Sequence, residues 1–196
     1  RAPGELTDYG WQVDEPVLYR FGYTENNPTP IAKAGGIITS LINNVSRNGA
    51  LLLNISPRAD GTIPDEQEKL LLEIGAWLKV NGEAIYGTRP WTKFGEGALT
   101  LDRGQSYSAK DIRFTTNGDV LYAIVPDWPA DGRVVVTSLA AGSRSLPAGK
   151  IQKVEVLGHR GTLEFSQDAE GLKVKFPTEK PCDHAFALKI SGLTLR

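Results

Sequence analysis

Methionine is absent from the 196 residues, cysteine occurs once and histidine twice. The single thiol, Cys182, excludes an internal disulfide framework and any zinc site built from thiolates alone. His159 and His184 leave little from which to assemble a histidine metal site. A charge surplus is missing as well. Lys+Arg number 22 against 23 Asp+Glu, so no basic excess draws the chain to nucleic acid or an anionic membrane. Long apolar runs are lacking. Runs such as Ala50-Leu51-Leu52-Leu53 and Val120–Val125 fall far short of the roughly 20 residues that a membrane span needs. The chain opens on Arg1, with no initiator methionine and no signal-peptide core. The expectation is a processed chain or a piece of something longer.

What is present suits a folded domain. Hydrophobic residues make up 40% and charged residues 23%, enough to bury a core. The 21 glycines and 12 prolines predict many turns. Two grammars follow one another along the chain. In Pro30–Asn48 the apolar residues Ala34, Ile37, Ile38, Leu41, Ile42 and Val45 lie on one helical face. Thr29 before Pro30 marks a start and Asn48-Gly49 a stop, while Gly35-Gly36 weakens the helix by about 1 kcal/mol each. Ala50–Ile55 is a short, continuously apolar run, the pattern of a strand buried on both faces. A second helix is predicted over Asp65–Val80. Its stripe is Leu70, Leu71, Ile74, Trp77 and Leu78, and its acidic first turn complements the helix dipole.

After Trp91 the period changes to two. Val154/Val156, Leu163/Phe165, Leu172/Val174/Phe176 and Phe186/Leu188/Ile190 alternate with polar residues. Val120–Val125 and Val134–Val136 read as more continuous strands, and Trp91 is expected at the domain junction. This half reads as an all-β antiparallel sandwich. The first half has a difficulty. A strand buried on both faces needs neighbours for its backbone, yet only the Trp11–Tyr19 region offers a partner. Residues 1–90 therefore read as an α/β remnant, the C-terminal portion of a (β/α) barrel whose other strands precede Arg1. Residues 91–196 read as the sandwich.

The run Val45-Ser46-Arg47-Asn48-Gly49-Ala50-Leu51-Leu52-Leu53-Asn54-Ile55-Ser56-Pro57 resembles the last barrel strand of the α-L-fucosidases, glycoside hydrolase family 29. Asp60-Gly61-Thr62-Ile63-Pro64 and the stretch from Gly75-Ala76-Trp77 to Tyr86-Gly87-Thr88 are similar to the same family, as is Trp11-Gln12 with Phe21-Gly22-Tyr23. In the second half, Asp111–Thr115, Leu121–Ile124, Val154–Gly158 and Gly171–Val174 resemble that family's β-sandwich.

The resemblance implies a catalytic barrel followed by a sandwich and removal of terminal α-L-fucose with retention of configuration. Retention requires a nucleophile and a general acid/base whose carboxyl groups lie about 5 Å apart, and no metal or cofactor. The family's nucleophile is an Asp on a tryptophan-rich strand well upstream, so it is expected outside this chain. In many members the acid/base is a Glu directly after the tryptophan that aligns with Trp11. Here that position is Gln12, whose amide cannot exchange a proton near neutrality. Glu5, Asp14, Glu15 and Glu25 remain as candidates, beside a residue before Arg1. The resemblance also places Arg1 near the sugar and Trp11 and Tyr23 as an apolar platform for fucose, with Gln12 as a hydrogen-bonder.

The structural reading of Trp11 and Tyr23 is a core or rim role, and that of Asn54 a strand terminator. Trp77 reads as core and Trp128 as a cover of the sandwich. The expected partners are a fucosylated glycan, the missing N-terminal barrel half or another subunit, and a further copy of the chain. Nucleic acid and membrane are not expected. Any signal region would lie upstream, so periplasmic, secreted and cytoplasmic locations all stay open. The alternative function is a non-catalytic β-sandwich module for carbohydrate binding or subunit packing.

Overall fold

A computed structural model describes residues 3–24, 30–97, 107–143 and 146–195. The first half is a strand–helix–strand–helix unit. Strand β1 (Trp11–Pro16) is followed by helix α1 (Ala34–Val45), strand β2 (Gly49–Asn54) and helix α2 (Asp65–Asn81). β1 and β2 pair in parallel, with Gln12 opposite Ala50, Asp14 opposite Leu52 and Pro16 opposite Asn54. Among the described residues no other strand joins them.

The predicted helix over Pro30–Asn48 begins late. Pro30 and Ala32 instead bond back to the segment after β1, with Tyr19 N–H donating to Pro30 O at 3.2 Å and Ala32 N–H to Val17 O at 2.8 Å. Two glycines at the helix start favour this extended alternative; Thr29 lies outside the described residues. At the far end Asn48 adopts the left-handed conformation (φ 74°) and turns the chain into β2. The second helix forms as its stripe predicts, with Leu70, Ile74 and Trp77 buried.

β2 differs from the expectation of burial on both faces. Its exposure alternates, and Leu52 keeps 50% of its surface in solvent. Leu51 and Leu53 pack toward the helices, while Ala50, Leu52 and Asn54 face outward. Among the described residues, two strands with helices on one side leave the other side bare.

The second half is a sandwich of two antiparallel sheets. The larger runs in the order β3 (Arg89–Gly95), β4 (Arg113–Asn117), β5 (Val120–Val125), β10 (Phe186–Thr194), β7 (Ala148–Val156). The smaller runs β6 (Arg133–Val136), β9 (Gly171–Lys175), β8 (Phe165–Asp168). Between them Phe114, Leu121, Leu188 and Val174 form one core. Trp91 belongs to this core rather than to the junction, meeting Phe114 edge-on with ring centres 5.0 Å apart. Glu96 joins the two sheets. Its carboxylate accepts Thr137 N–H at 2.9 Å, Ser138 N–H at 2.7 Å and Ser138 Oγ–H at 2.5 Å.

The continuous apolar run of β5 serves two cores. Leu121, Ala123 and Val125 enter the sandwich, whereas Tyr122 and Ile124 join Ile37, Ile38 and Trp77 beneath the helices. Along this seam Trp77 Nε1–H donates to Ala185 O at 2.7 Å, and Ala187 N–H to Asn81 Oδ1 at 3.2 Å. Glu83 accepts Tyr122 Oη–H at 2.7 Å and Lys189 Nζ–H at 2.5 Å, which holds its carboxyl below the ordinary range. Arg113 donates to Asn43 Oδ1 of α1 at 3.2 Å. Burial, with the cation of Arg47 nearby, lowers the Arg113 pKa to about 10.

His184, on the loop before β10, donates its Nε2–H to Glu73 Oε1 of α2 (2.7 Å) and packs over Gly35 of α1. A Cβ on Gly35 would lie 3.0 Å from the imidazole Nδ1. The glycine that weakens the helix is thus the space for a side chain of the sandwich. Gly35→Ala is expected to destabilise the chain, because overpacking costs about 1–3 kcal/mol and outweighs the helix gain of about 1 kcal/mol. In a His184→Ala background the same change should stabilise. Urea midpoints of the four proteins check this; the same sign in both backgrounds contradicts it.

Candidate functional site

The sheet of the first half has a direction. Both strands run parallel, so β1 and β2 end on the same side, at Pro16 and Asn54. In α/β layers ligands bind beyond the carboxyl ends of the strands, where the following loops converge. The relevant features are therefore the strand ends, the segments after them and the bare face.

The β2 end is fixed from two directions. Val17 N–H donates to Asn54 O at 2.9 Å, tying the two strand exits together. Two residues on, the buried carboxamide of Gln67 pairs with the main chain of Ser56. Its Oε1 accepts Ser56 N–H at 2.8 Å and its Nε2–H donates to Ser56 O at 3.0 Å. Sequence reading missed Gln67. The available signal was a polar residue three positions before Leu70 on an otherwise apolar stripe.

After β1 the chain displays three aromatic rings in alternation. Tyr19 is 63% exposed, Phe21 64% and Tyr23 37%. Leu18, just before the first of them, is buried and bridges to Ile31, so the backbone carrying Tyr19 is anchored. Sequence reading singled out Tyr23 and passed over Tyr19 and Phe21, although the alternation was visible.

The other candidate residues fall in distinct places. Trp11 stands at the opposite end of β1. Its Nε1–H donates to Arg47 O at 3.1 Å, and its ring lies 2.5 Å from where a Cβ on Gly49 would sit. There it packs the turn from α1 into β2. Gln12 and Asp14 occupy the bare face together, with Gln12 Nε2–H donating to Asp14 Oδ1 at 2.9 Å. Glu15 points the other way and accepts the hydroxyl of Ser40 on α1. Glu5 is exposed on the segment leading into β1. Arg1 and Glu25 lie outside the described residues. The structure thus brings Gln12, Asp14 and Asn54 to one face and separates them from Glu15.

The sandwich presents less chemistry. A groove of about 1340 Å³ runs past Trp128, Phe165 and Lys173. Trp128 packs edge-on against Phe176 and Phe186, with ring centres 5.0 and 4.7 Å away. Lys173 and Lys175 pair with Asp168 and Glu164. Among the described residues there is no group of three His, Cys, Asp or Glu side chains placed to hold a metal, and no helix is long and apolar enough to cross a membrane.

Gln67→Leu keeps the side-chain bulk but leaves Ser56 N–H and C=O buried without partners. Unpaired buried groups cost about 1–3 kcal/mol each, so a loss of several kcal/mol is expected in chemical denaturation. A loss below about 0.5 kcal/mol, the scale of a surface substitution, contradicts the clamp.

A family model described as alpha-L-fucosidase matches residues 1–83, and one described as alpha-L-fucosidase C-terminal domain matches residues 105–191. The human tissue alpha-L-fucosidase is 30% identical, over 97% of this chain and 39% of that protein. The mouse tissue alpha-L-fucosidase is 32% identical, over 96% of this chain and 40% of that protein. A Thermotoga maritima alpha-fucosidase solved in complex with fucose superimposes with a TM-score of 0.77 at 27% identity, over 96% of this chain and 41% of that one. This chain spans about 40% of the length of these relatives. The resemblance read from Val45–Thr88 and from the strands after it holds across both halves: the chain belongs to the α-L-fucosidase family and corresponds to its C-terminal part.

Proposed function

We propose that this chain is the C-terminal portion of a retaining exo-α-L-fucosidase that removes terminal α-L-fucose from glycoconjugates or oligosaccharides. The observation that carries the reading is a bare sheet face within a family member that spans about 40% of its relatives. In this reading residues 1–90 are the end of a (β/α) barrel, with β1 and β2 its last two strands. Residues 91–196 are a sandwich that backs the helices α1 and α2. Its extensive seam with them gives the sandwich a supporting role.

The chemistry needs two carboxyl groups about 5–5.5 Å apart, one forming the glycosyl-enzyme bond and the other moving the proton. The nucleophile belongs to the part of the protein upstream of this chain. Gln12 stands where many members place the acid/base, and a carboxamide cannot serve. Of the described candidates, Glu15 is committed to Ser40, and the proton-moving carboxyl comes, like the nucleophile, from upstream of this chain. The contribution of this chain is the wall of the site. Tyr19, Phe21 and Tyr23 offer apolar surface suited to the methyl and C–H faces of fucose. Asn54 and the Gln67-clamped exit of β2 shape the rim.

The isolated chain is expected to release no aryl alcohol from an aryl α-L-fucoside. The full-length protein should do so, with α-L-fucose as the first anomer formed in a proton NMR time course. Turnover by the isolated chain, or the β-anomer appearing first, contradicts the proposal.

A further inference from the structure

The bare face is not uniformly apolar, and its charge constrains what covers it. The parallel register sets Gln12 beside Ala50 and Asp14 beside Leu52, and all four are exposed. Around Asp14 the sheet itself supplies one neutral donor, the Gln12 amide at 2.9 Å. An ionised carboxylate has about four acceptor sites, so this donor leaves most of its capacity to solvent. Burying Leu52 requires a covering layer within van der Waals distance. The same layer removes water from Asp14, its cross-strand neighbour. A buried carboxylate with one neutral hydrogen bond is strongly unfavourable, and a cation relieves it while keeping the charge, where the alternatives are protonation or several further donors.

Resting on the barrel reading above, we infer that the upstream part of the protein covers this face with a lysine or arginine set over Asp14, flanked by apolar side chains against Leu52 and Ala50. Relatives about two and a half times as long supply enough chain for this layer. The charge of the isolated face selects the chemistry. A wholly apolar cover would strand Asp14, and a wholly polar one would leave Leu52 unburied. Asp14 is then a specificity element for assembling the layer, since it rejects registers that place an apolar residue opposite it.

The experiment compares the full-length protein with the isolated chain for two substitutions, Asp14→Asn and Leu52→Asn, by urea denaturation and fucosidase assay. Asp14→Asn keeps the shape and an acceptor oxygen but removes the charge. Neutral donors would tolerate it, whereas a buried cation would lose its counter-charge. The expected result is at least a hundredfold rise in the unfolded-to-folded ratio of the full-length protein and no change in the isolated chain. Failure of the full-length variant to fold, beside an intact isolated chain, supports the inference equally. If Leu52→Asn destabilises the full-length protein and Asp14→Asn does not, the cation is refuted and the barrel reading stands. If neither substitution matters in the full-length protein, the covered face and the barrel reading fall together. Lost activity with unchanged stability would make Asp14 a proton donor and overturn the inference.

Discussion

A parallel pair of strands cannot complete itself. Each strand turns half of its backbone groups toward its partner and half away, and each has two faces to cover. In this chain α1 and α2 cover one face of β1–β2, and nothing described covers the other. The exposed Leu52, the solvent-facing Asp14 and the open strand edges all follow from that arithmetic. The proposed function rests on the same geometry: in that reading, the bare face and the carboxyl ends of these two strands mark where the rest of a fucosidase barrel would stand.

The sandwich is what lets the incomplete layer hold its shape. The larger sheet gives one side of β5 and β10 to its own core and the other to the helices. The helices are thereby fixed from behind by Trp77, Asn81, Glu83 and Arg113, through bonds to main chain and side chains more than 30 residues distant. The strand ends inherit that rigidity through Gln67 and the Val17–Asn54 link. The geometry of the strand ends is thus set by packing on the far side of the helices, an arrangement that suits precise loops on a stiff scaffold.

Much of this was legible in the residues, and the illegible parts share one cause. The helix over Asp65–Asn81 and the alternating strands from Val154 to Ile190 follow from periodicity alone. Two continuous apolar runs, Leu51–Leu53 and Val120–Val125, look alike in sequence and end differently. The second is covered on both sides by its own chain; the first is covered on one. Period reveals which residues want burial but not which molecule or segment supplies the cover. Partners distant in sequence hid the rest. Gly35 reads as a helix defect until His184 is found over it, and nothing near Glu96 in the sequence announces Thr137 and Ser138, the partners that close on it. The family was legible in contiguous motifs such as Asn48–Pro57. The acid/base was not, because Gln12 breaks the pattern at the position where a carboxylate was expected.

The central claim is that the outer face of β1–β2 is an interior surface of the complete protein. Amide hydrogen exchange over Val13–Glu15 and Leu51–Leu53, measured in the isolated chain and in the full-length protein, tests it most directly. The account predicts protection that is weak in the isolated chain and rises by orders of magnitude in the full-length protein. Equal protection in both would show that these strands need no further cover, and would contradict it.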